Sequence, residues 1–304
     1  MKIFTHNFNP SSNSGPNKFT RQLFRSLEKN HSVTTTTDQQ EADVEFCLIQ
    51  QQVHKVKPMV LRLDGIWFNS EQDYKQQNAP IKFSYDNADA VIFQSGFNKR
   101  LTESWFGEHK NSRIIHNATD TNLIKSSNKH FWDRKFGKDI EVWSCASSWR
   151  PHKRLNENIR YFLEYSPKDA QLAIAGSIGM DDAKRIIQNN ERIHLLGELD
   201  YMSLVSLYRR SSTFIHLAYL DHCPNVVVDA QAAGCHVVCS STGGTSEIVS
   251  NGIVVHEELW KFKPLRLYSP PSMDFSNTTI CCESTPNSFE SCVTSYNEVM
   301  KSLL

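Results

Sequence analysis

Short apolar and β-branched runs alternate along the chain with stretches whose apolar residues recur every three or four positions. The runs have the length of buried strands, and the stretches have the period of amphipathic helices. Two examples of the helical pattern are the stripes Phe19, Leu23, Phe24 and Leu27, and Leu155, Ile159, Phe162 and Leu163. Strands that alternate with helices predict an α/β fold with parallel sheets covered on both faces.

The predicted strands fall into two series, which indicates two Rossmann-like domains rather than one. The first series is Lys2–Thr5, Val44–Ile49, Met59–Leu63, Ala90–Phe93 and Arg113–His116. The second is Ile140–Cys145, Gln171–Ala175, Arg192–Leu195, Thr213–Leu217, His236–Ser240 and Gly252–Val255. The polar stretch Asp120–Gly137 lies between them and is the best linker candidate. We expect domains at 1–135 and 136–286, with a final amphipathic helix at 287–304 completing the first.

The composition narrows the classes of function. Lys plus Arg and Asp plus Glu number 33 each in 304 residues, which argues against a general nucleic-acid binder. The apolar start is too short for a signal peptide, and no stretch approaches the roughly 20 apolar residues of a spanning helix. We therefore expect a cytoplasmic protein. A peripheral membrane contact and the oligomeric state are left open.

The cysteines and histidines do not form a metal-binding pattern. Most of the eight cysteines lie in strand-like runs without C-x-x-C spacing, so we expect reduced, buried thiols. Histidines at 116, 194, 216 and 236 lie in strand-like runs without ligand spacing, and no Asp-x-Asp motif occurs. The sequence predicts neither a cofactor nor a metal.

The most informative stretch runs from Thr213 to Val249. A predicted strand ends in a loop that contains Asp221, and a helix is expected to begin near Asn225 and end at Gly234. Ligands bind beyond the carboxyl ends of such strands, and a helix N-terminus suits phosphate. Asp229, about one turn into the helix, can accept hydrogen bonds from two neighbouring hydroxyls. The layout is suited to a sugar and a ribose joined by a diphosphate.

Two motifs in this stretch resemble the retaining glycosyltransferases of family 4, also called glycosyl transferases group 1, which have the GT-B fold. The family has two glutamates separated by seven residues, then Ala-x-Ala-x-Gly, then Gly-Gly-x-x-Glu. Here Asp221 and Asp229 have the same spacing, Ala230-Gln-Ala-Ala-Gly234 follows, and Gly243-Gly244-x-x-Glu247 comes next. Both glutamates are replaced by aspartate. We expect the Gly-Gly turn to open another helix.

The resemblance implies a role for several further residues. Arg150 and Lys153 lie where the family binds the donor diphosphate, with Arg154 as an alternative cation. Donor contacts are expected from Asp221, Asp229, Asn225, Val226, Gly243 and Gly244, and from Gly197 near the nucleotide base. In the first domain, the loop with Gly15 resembles the family's glycine loop. Asp64 stands where many members have a histidine, with a turn-capping role as the alternative.

The implied fold is GT-B, with two Rossmann-like parallel-sheet domains that face each other across a cleft. The implied activity is metal-independent transfer of a hexosyl group, with retention, from a UDP- or GDP-sugar to a glycan or other acceptor. The catalytic set would be Asp221, Arg150, Lys153 and Asp64. Two alternatives stay open: a non-catalytic nucleotide- or sugar-binding relative, and a nucleotide-sugar epimerase.

Overall fold

The chain forms two compact units, each built around its own sheet. The computed structural model describes residues 1–12, 14–179, 185–186, 190–282 and 288–304. Unit 1 comprises Met1–Asn117, Lys261–Leu265 and Asn287–Leu304, and unit 2 comprises Ala118–Trp260 and Arg266–Pro286. The change from one unit to the other therefore comes after Asn117, earlier than the expected 135. The expected boundary at 286–287 lies outside the described residues.

Unit 1 contains a six-stranded, fully parallel sheet in the order β2-β1-β3-β4-β5-β6. Its strands are β1 (Lys2–His6), β2 (Thr34–Thr36), β3 (Val44–Leu48), β4 (Met59–Leu63), β5 (Ala90–Phe93) and β6 (Ser112–Ile114). Its helices are α1 (Gly15–His31), α2 (Tyr74–Asn87) and α3 (Gly96–Phe106), together with the C-terminal helix described below. The short strand β2 is a threonine run that hydropathy did not reveal.

The C-terminal helix of the chain, Phe289–Lys301, is part of unit 1 and packs on α1. Its apolar stripe is buried, and Tyr296 accepts a hydrogen bond from the buried Arg62 guanidinium at 3.1 Å. Arg62 also donates to Asn117 at 3.0 Å and lies over the Phe19 ring. One buried arginine thus joins the C-terminal helix to strand β4 and to Asn117, the last residue of the first segment of unit 1.

Unit 2 contains a seven-stranded sheet in the order β13-β12-β11-β10-β7-β8-β9. All neighbouring strands are parallel except β12 and β13, which are antiparallel. The strands are β7 (Val142–Ala146), β8 (Gln171–Ala175), β9 (Ile193–Gly197), β10 (Thr213–His216), β11 (His236–Ser240), β12 (Asn251–Val255) and β13 (Thr278–Cys282). The exposed edge strand β13 is not among the strands that the sequence predicts.

Helices cover both faces of this sheet. The elements are α4 (Thr121–Ser126), α5 (Asp133–Phe136), the 3-10 helix Pro151–Lys153, α6 (Leu155–Tyr165), α7 (Tyr201–Arg210) and α8 (Asn225–Ala232); the C-terminal helix is α9. One apolar cluster contains side chains of α7 and α8, and the other contains Tyr161 and Phe162 of α6 with Met273 and Phe275. Residues of β7 contribute to both clusters, so the sheet is covered on its two faces as predicted.

The linker candidate Asp120–Gly137 contains two short helices and belongs to unit 2. Asp120 caps α4 by accepting from the amides of Asn122 and Leu123, and α5 follows a few residues later. Trp132 and Phe136 pack against the core of unit 2. These two aromatic anchors bind the segment to the sheet although most of its other residues are polar.

Two expectations concern the whole chain: that it has no membrane-spanning segment, and that its cysteines are reduced and buried. Among the described residues, no helix has both the length and the apolar character needed to cross a bilayer. All eight cysteines are free thiols, and six of them are buried. The expectation that they behave as small buried hydrophobic residues is confirmed for those six, since Cys281 is only half-buried and Cys282 is exposed.

Candidate functional site

Three loops of unit 2 follow adjacent parallel strands and therefore lie at one edge of the sheet. Strands β11, β10 and β7 are neighbours, and their carboxyl ends are Ser240, His216 and Ala146. The loops that follow them contain the Gly243-Gly244 turn, Asp221 and the Arg150–Lys153 segment. The sheet topology brings these three predicted elements together at the edge where open α/β sheets bind ligands.

The Gly-Gly turn is built against the backbone of Asp221. The two loops pair as an isolated parallel bridge between Asp221 and Gly243, and the Gly244 amide donates to the Asp221 carbonyl at 2.7 Å. Gly243 has φ +97°, and a Cβ there would run into the Asp221 carbonyl and lie 2.8 Å from its amide nitrogen. Glycine is required at this position because of both its conformation and the close approach of the other loop.

The Asp221 carboxylate has partners on both oxygens. Oδ2 lies 2.6 Å from Nζ of Lys153 and 2.9 Å from Nε2 of His216, while Oδ1 accepts from the His222 amide at 3.0 Å. His216 is the last residue of β10, and its ring stacks parallel to that of Phe214. The strand therefore fixes one partner of Oδ2, and the 3-10 helix supplies the other.

The electrostatics of this cluster favour a charged aspartate between neutral imidazoles. Burial alone would raise the pKa of Asp221, but the Lys153 ammonium and the His216 hydrogen bond outweigh it and hold the pKa well below its usual range. Burial lowers the pKa of His216 against the opposing effect of Asp221. Burial also lowers the pKa of His152 to about 3 and that of His222 to about 4.

The loop after β7 is anchored at both ends. The Trp149 indole donates to the Ala175 carbonyl at 2.8 Å, and the His152 carbonyl accepts from the Tyr219 amide at 2.7 Å. Between these anchors, the Arg150 side chain is exposed and makes no hydrogen bond or ion pair with any residue that the structure describes. Arg150 is thus open to an anion, whereas Lys153 is already paired with Asp221.

Arg154, the alternative cation, is committed to the interior of unit 2. Its guanidinium is bidentate to Glu257 at 2.7 and 2.9 Å and donates to the Pro271 carbonyl at 2.8 Å. It is 4 % exposed, and Glu257 also accepts from the hydroxyls of Ser240 and Thr242. The idea that Arg154 substitutes for Arg150 or Lys153 is therefore wrong, because its guanidinium is buried inside unit 2 and paired with Glu257.

Helix α8 begins at Asn225, as predicted. Pro224 precedes it, the hydrogen-bonded ladder starts with the Val227 amide donating to the Pro224 carbonyl, and Asn225 and Val226 form the first turn. Asp229 lies one turn further and is 8 % exposed. Its Oδ1 lies 3.4 Å from the Tyr201 hydroxyl, which is also 3.4 Å from the hydroxyl of Thr119.

The remaining predicted donor residue, Gly197, ends β9 with φ +67° and is exposed. Its carbonyl accepts from the Gly176 amide at 2.7 Å, which joins the ends of β9 and β8. The helix expected after the Gly-Gly turn does not form. Residues 245–249 make only a short turn with a bond from the Ile248 amide to the Thr245 carbonyl, and β12 follows.

Gly15 and Asp64 both belong to unit 1. Gly15 is the exposed first residue of α1, preceded by Ser14. Asp64 follows β4 and forms an ion pair with Arg62. Burial raises the pKa of Asp64, and the Arg62 guanidinium opposes that shift.

Part of unit 2 has a recognisable family signature. Residues 127–260 match the family model described as Glycosyl transferases group 1. This segment is less than half of the chain and contains Arg150, Lys153, Asp221, Asp229 and the Gly-Gly turn. The group 1 match thus covers the loops that the sheet brings together. No curated protein matches the sequence.

Solved structures show the same architecture over most of the chain. The complex of Anabaena Alr3699/HepE with UDP-glucose is 18 % identical with a TM-score of 0.65, covering 85 % of this chain and 86 % of that one. AviGT4, a glycosyltransferase involved in avilamycin A biosynthesis, is 14 % identical with a TM-score of 0.64, covering 100 % and 98 %. Sucrose-phosphate synthase from Thermosynechococcus elongatus is 14 % identical with a TM-score of 0.65, covering 84 % and 86 %. The two parallel-sheet units have the GT-B fold.

Two residues near the predicted site were not singled out from the sequence. The sequence places His216 in a strand-like run, and the residue is buried there, but its ring also holds Asp221. Its position at the last residue of a strand, in the stretch leading to Asp221, was the available signal. Tyr201 opens α7 directly after its cap Asp200, and nothing in the sequence spacing connected it with Asp229.

Proposed function

We propose that this protein is a retaining glycosyltransferase that moves a hexosyl group from a UDP- or GDP-sugar to a glycan or other acceptor without a metal ion. The observation that carries the proposal is the Lys153–Asp221 pair, held against the Gly243-Gly244 turn at the carboxyl edge of the unit 2 sheet. The group 1 match over 127–260 and the GT-B fold support it.

The donor diphosphate is assigned to the edge where these loops meet. Arg150 and Lys153 offset the negative charge that develops on the leaving group, and such preorganised charge contacts are effective in partly buried sites. The first turn of α8, at Asn225 and Val226, presents the positive end of the helix dipole to the phosphates. Gly243 and Gly244 allow the backbone to approach the donor closely.

The sugar and the nucleoside are assigned to the two aspartates. Among the described residues, Oδ1 of Asp221 accepts from the His222 amide alone, so it retains acceptor capacity and there takes a hydroxyl of the donor sugar. Asp229 accepts the ribose hydroxyls beside Tyr201, and Gly197 lies near the base. HepE has been solved with UDP-glucose and with UDP and glucose, and starch synthase IV from Arabidopsis with ADP and acarbose, which supports a nucleotide-sugar donor here.

The acceptor is assigned to unit 1, through Gly15 at the start of α1 and Asp64 after β4. The Arg62 contact fixes the Asp64 carboxylate, so this side chain orients an acceptor hydroxyl rather than taking its proton. A β-phosphate oxygen of the donor receives that proton on the face from which the nucleotide leaves. Retention follows because attack and departure use the same face.

Donor turnover tests the proposal. Release of nucleoside diphosphate is followed with a panel of UDP-, GDP- and ADP-sugars, with and without excess EDTA. Lys153→Met should lower turnover by about 10²-fold or more, the scale of a lost preorganised charge contact. Lys168→Met, an exposed lysine of the same unit, is the matched control and should leave turnover unchanged.

Three results would contradict the proposal. Nucleotide binding without any turnover would indicate a non-catalytic relative. Conversion of the donor sugar without transfer would indicate an epimerase. Complete loss of activity in EDTA that manganese restores would refute metal independence.

A further inference from the structure

The Lys153 ammonium already has a counter-ion in this structure. Its Nζ lies 2.6 Å from Oδ2 of Asp221, and the two side chains are only 18 % and 15 % exposed. Ion pairs that are largely shielded from water are screened less by solvent and salt than exposed ones. A diphosphate that approaches Lys153 therefore meets a cation whose charge is largely balanced, with a carboxylate beside it.

His216 makes this pair persistent. Because the carboxylate oxygen can only accept, Nε2 of His216 must carry the proton and donate to Oδ2 at 2.9 Å. The imidazole is 5 % exposed and belongs to β10, so it cannot follow Asp221 away from the strand. The His222 amide holds the other oxygen at 3.0 Å. These two donors thus keep the carboxylate next to Lys153.

We propose that Asp221 is an internal counter-ion that competes with the donor diphosphate for Lys153, lowers the affinity of the site for nucleoside diphosphate, and so favours release of that product. This inference rests on the proposed function, since it requires a diphosphate at Lys153. The low pKa of Asp221 keeps the competing charge present at neutral pH. The role is additional to any contact between Asp221 and the donor sugar.

The direction of the effect distinguishes this role from a simple binding contact. If Asp221 only oriented Lys153, removing its charge would weaken diphosphate binding. If Asp221 competes for Lys153, removing its charge must tighten binding, because the ammonium then interacts with the diphosphate alone and the repulsion between two anions is gone. A nucleoside without phosphate does not contact Lys153, so its affinity should not change.

Asp221→Asn tests whether diphosphate binding becomes tighter or weaker, with little change in the shape of the side chain. The amide oxygen can still accept the His222 amide. The amide nitrogen then faces His216, whose neutral ring can accept at Nε2 when its proton is on Nδ1, so the loop should stay in place. The nucleoside diphosphate with the base that the wild type prefers is titrated calorimetrically, in parallel with the free nucleoside, and melting temperatures are recorded. We expect about three- to tenfold tighter diphosphate binding, with nucleoside affinity unchanged. Asp169→Asn, an exposed aspartate of the same unit, changes the net charge equally and should have no effect.

The outcomes separate this inference from the proposed function. Unchanged or weaker diphosphate binding by a folded Asp221→Asn protein overturns the inference, while the nucleotide site itself stands. Equal tightening in Asp169→Asn overturns it too, because net charge would then be the cause. Wild-type protein that binds no nucleoside diphosphate overturns the proposed function and the inference together. If Asp221→Asn does not fold, Asp221→Ser, which keeps an acceptor without charge, is measured against the same expectations.

Discussion

Replacement of Arg154 by methionine should destabilise unit 2 strongly and leave nucleotide binding almost unchanged. The Arg154 side chain is 1 % and the Glu257 side chain 7 % exposed, and they share two hydrogen bonds at 2.7 and 2.9 Å. Without Arg154, Glu257 becomes a buried charge whose remaining side-chain partners are neutral hydroxyls. Removing one partner of a buried pair costs about 3–5 kcal/mol. The Pro271 carbonyl also loses its donor, and the Tyr219 ring loses a cation 4.8 Å from its centre.

Thermal and denaturant unfolding measure this loss. For a domain of the size of unit 2, 3–5 kcal/mol corresponds to a fall in melting temperature of roughly 6–20 °C. The double variant Arg154→Met/Glu257→Gln should recover part of it, because no unpaired charge remains. Arg134→Met, at an exposed arginine of the same unit, serves as the control. A variant that melts like the wild type but loses affinity for nucleoside diphosphate would refute this reasoning and make Arg154 a phosphate ligand.

Two further substitutions test local features of unit 2. Gly243→Ala should lower the free energy of unfolding by about 1–3 kcal/mol more than Gly234→Ala. Both glycines have a positive φ, but of these two only Gly243 would bring a Cβ against the facing backbone. Equal losses of stability in chemical denaturation would show that this contact is unimportant. His152, with a pKa of about 3, stays neutral in the fold while the unfolded chain takes up its proton below about pH 6.5, so acidification must lower stability. Between pH 6 and 4, the free energy of unfolding of the wild type should fall by about 1 kcal/mol per pH unit more than that of His152→Leu. Parallel pH profiles of the two proteins would contradict this.

The strands were predictable because their signal is local. Buried parallel strands are short continuous apolar runs, and Met59–Leu63, Ala90–Phe93, Gln171–Ala175 and His236–Ser240 have the predicted bounds. Strands β2 and β13 were missed since they are rich in threonine and mostly exposed at sheet edges. Their formation depends on a neighbouring strand rather than on their own hydropathy.

The backbone elements of the candidate site were predictable from the sequence, but the partners of its charged side chains were not. The loop, the helix start at Asn225 and the need for Gly243 follow from residue types in one continuous stretch. The partner of each charge does not, because Lys153 and Asp221 are far apart in sequence and meet only through the order of β7 and β10. For the same reason, sequence alone could not decide which of Arg150, Lys153 and Arg154 is buried against Glu257.

The central claim is that unit 2 binds a nucleoside diphosphate with its ribose at Asp229. Asp229→Asn preserves the shape of a side chain that is 8 % exposed and still allows the Tyr201 hydroxyl to donate to it. The charge is removed, and one of the two acceptor oxygens becomes an amide NH2 that can only donate. Losing a charged acceptor for two ribose hydroxyls should cost roughly 1.5–3 kcal/mol, which is about tenfold or more in affinity.

Calorimetric titration of wild-type and Asp229→Asn protein with the preferred nucleoside diphosphate, alongside their melting temperatures, tests this claim most directly. The account predicts an affinity about tenfold or more lower at an unchanged melting temperature. An affinity equal to that of the wild type, at the same melting temperature, would contradict the placement of the donor on helix α8.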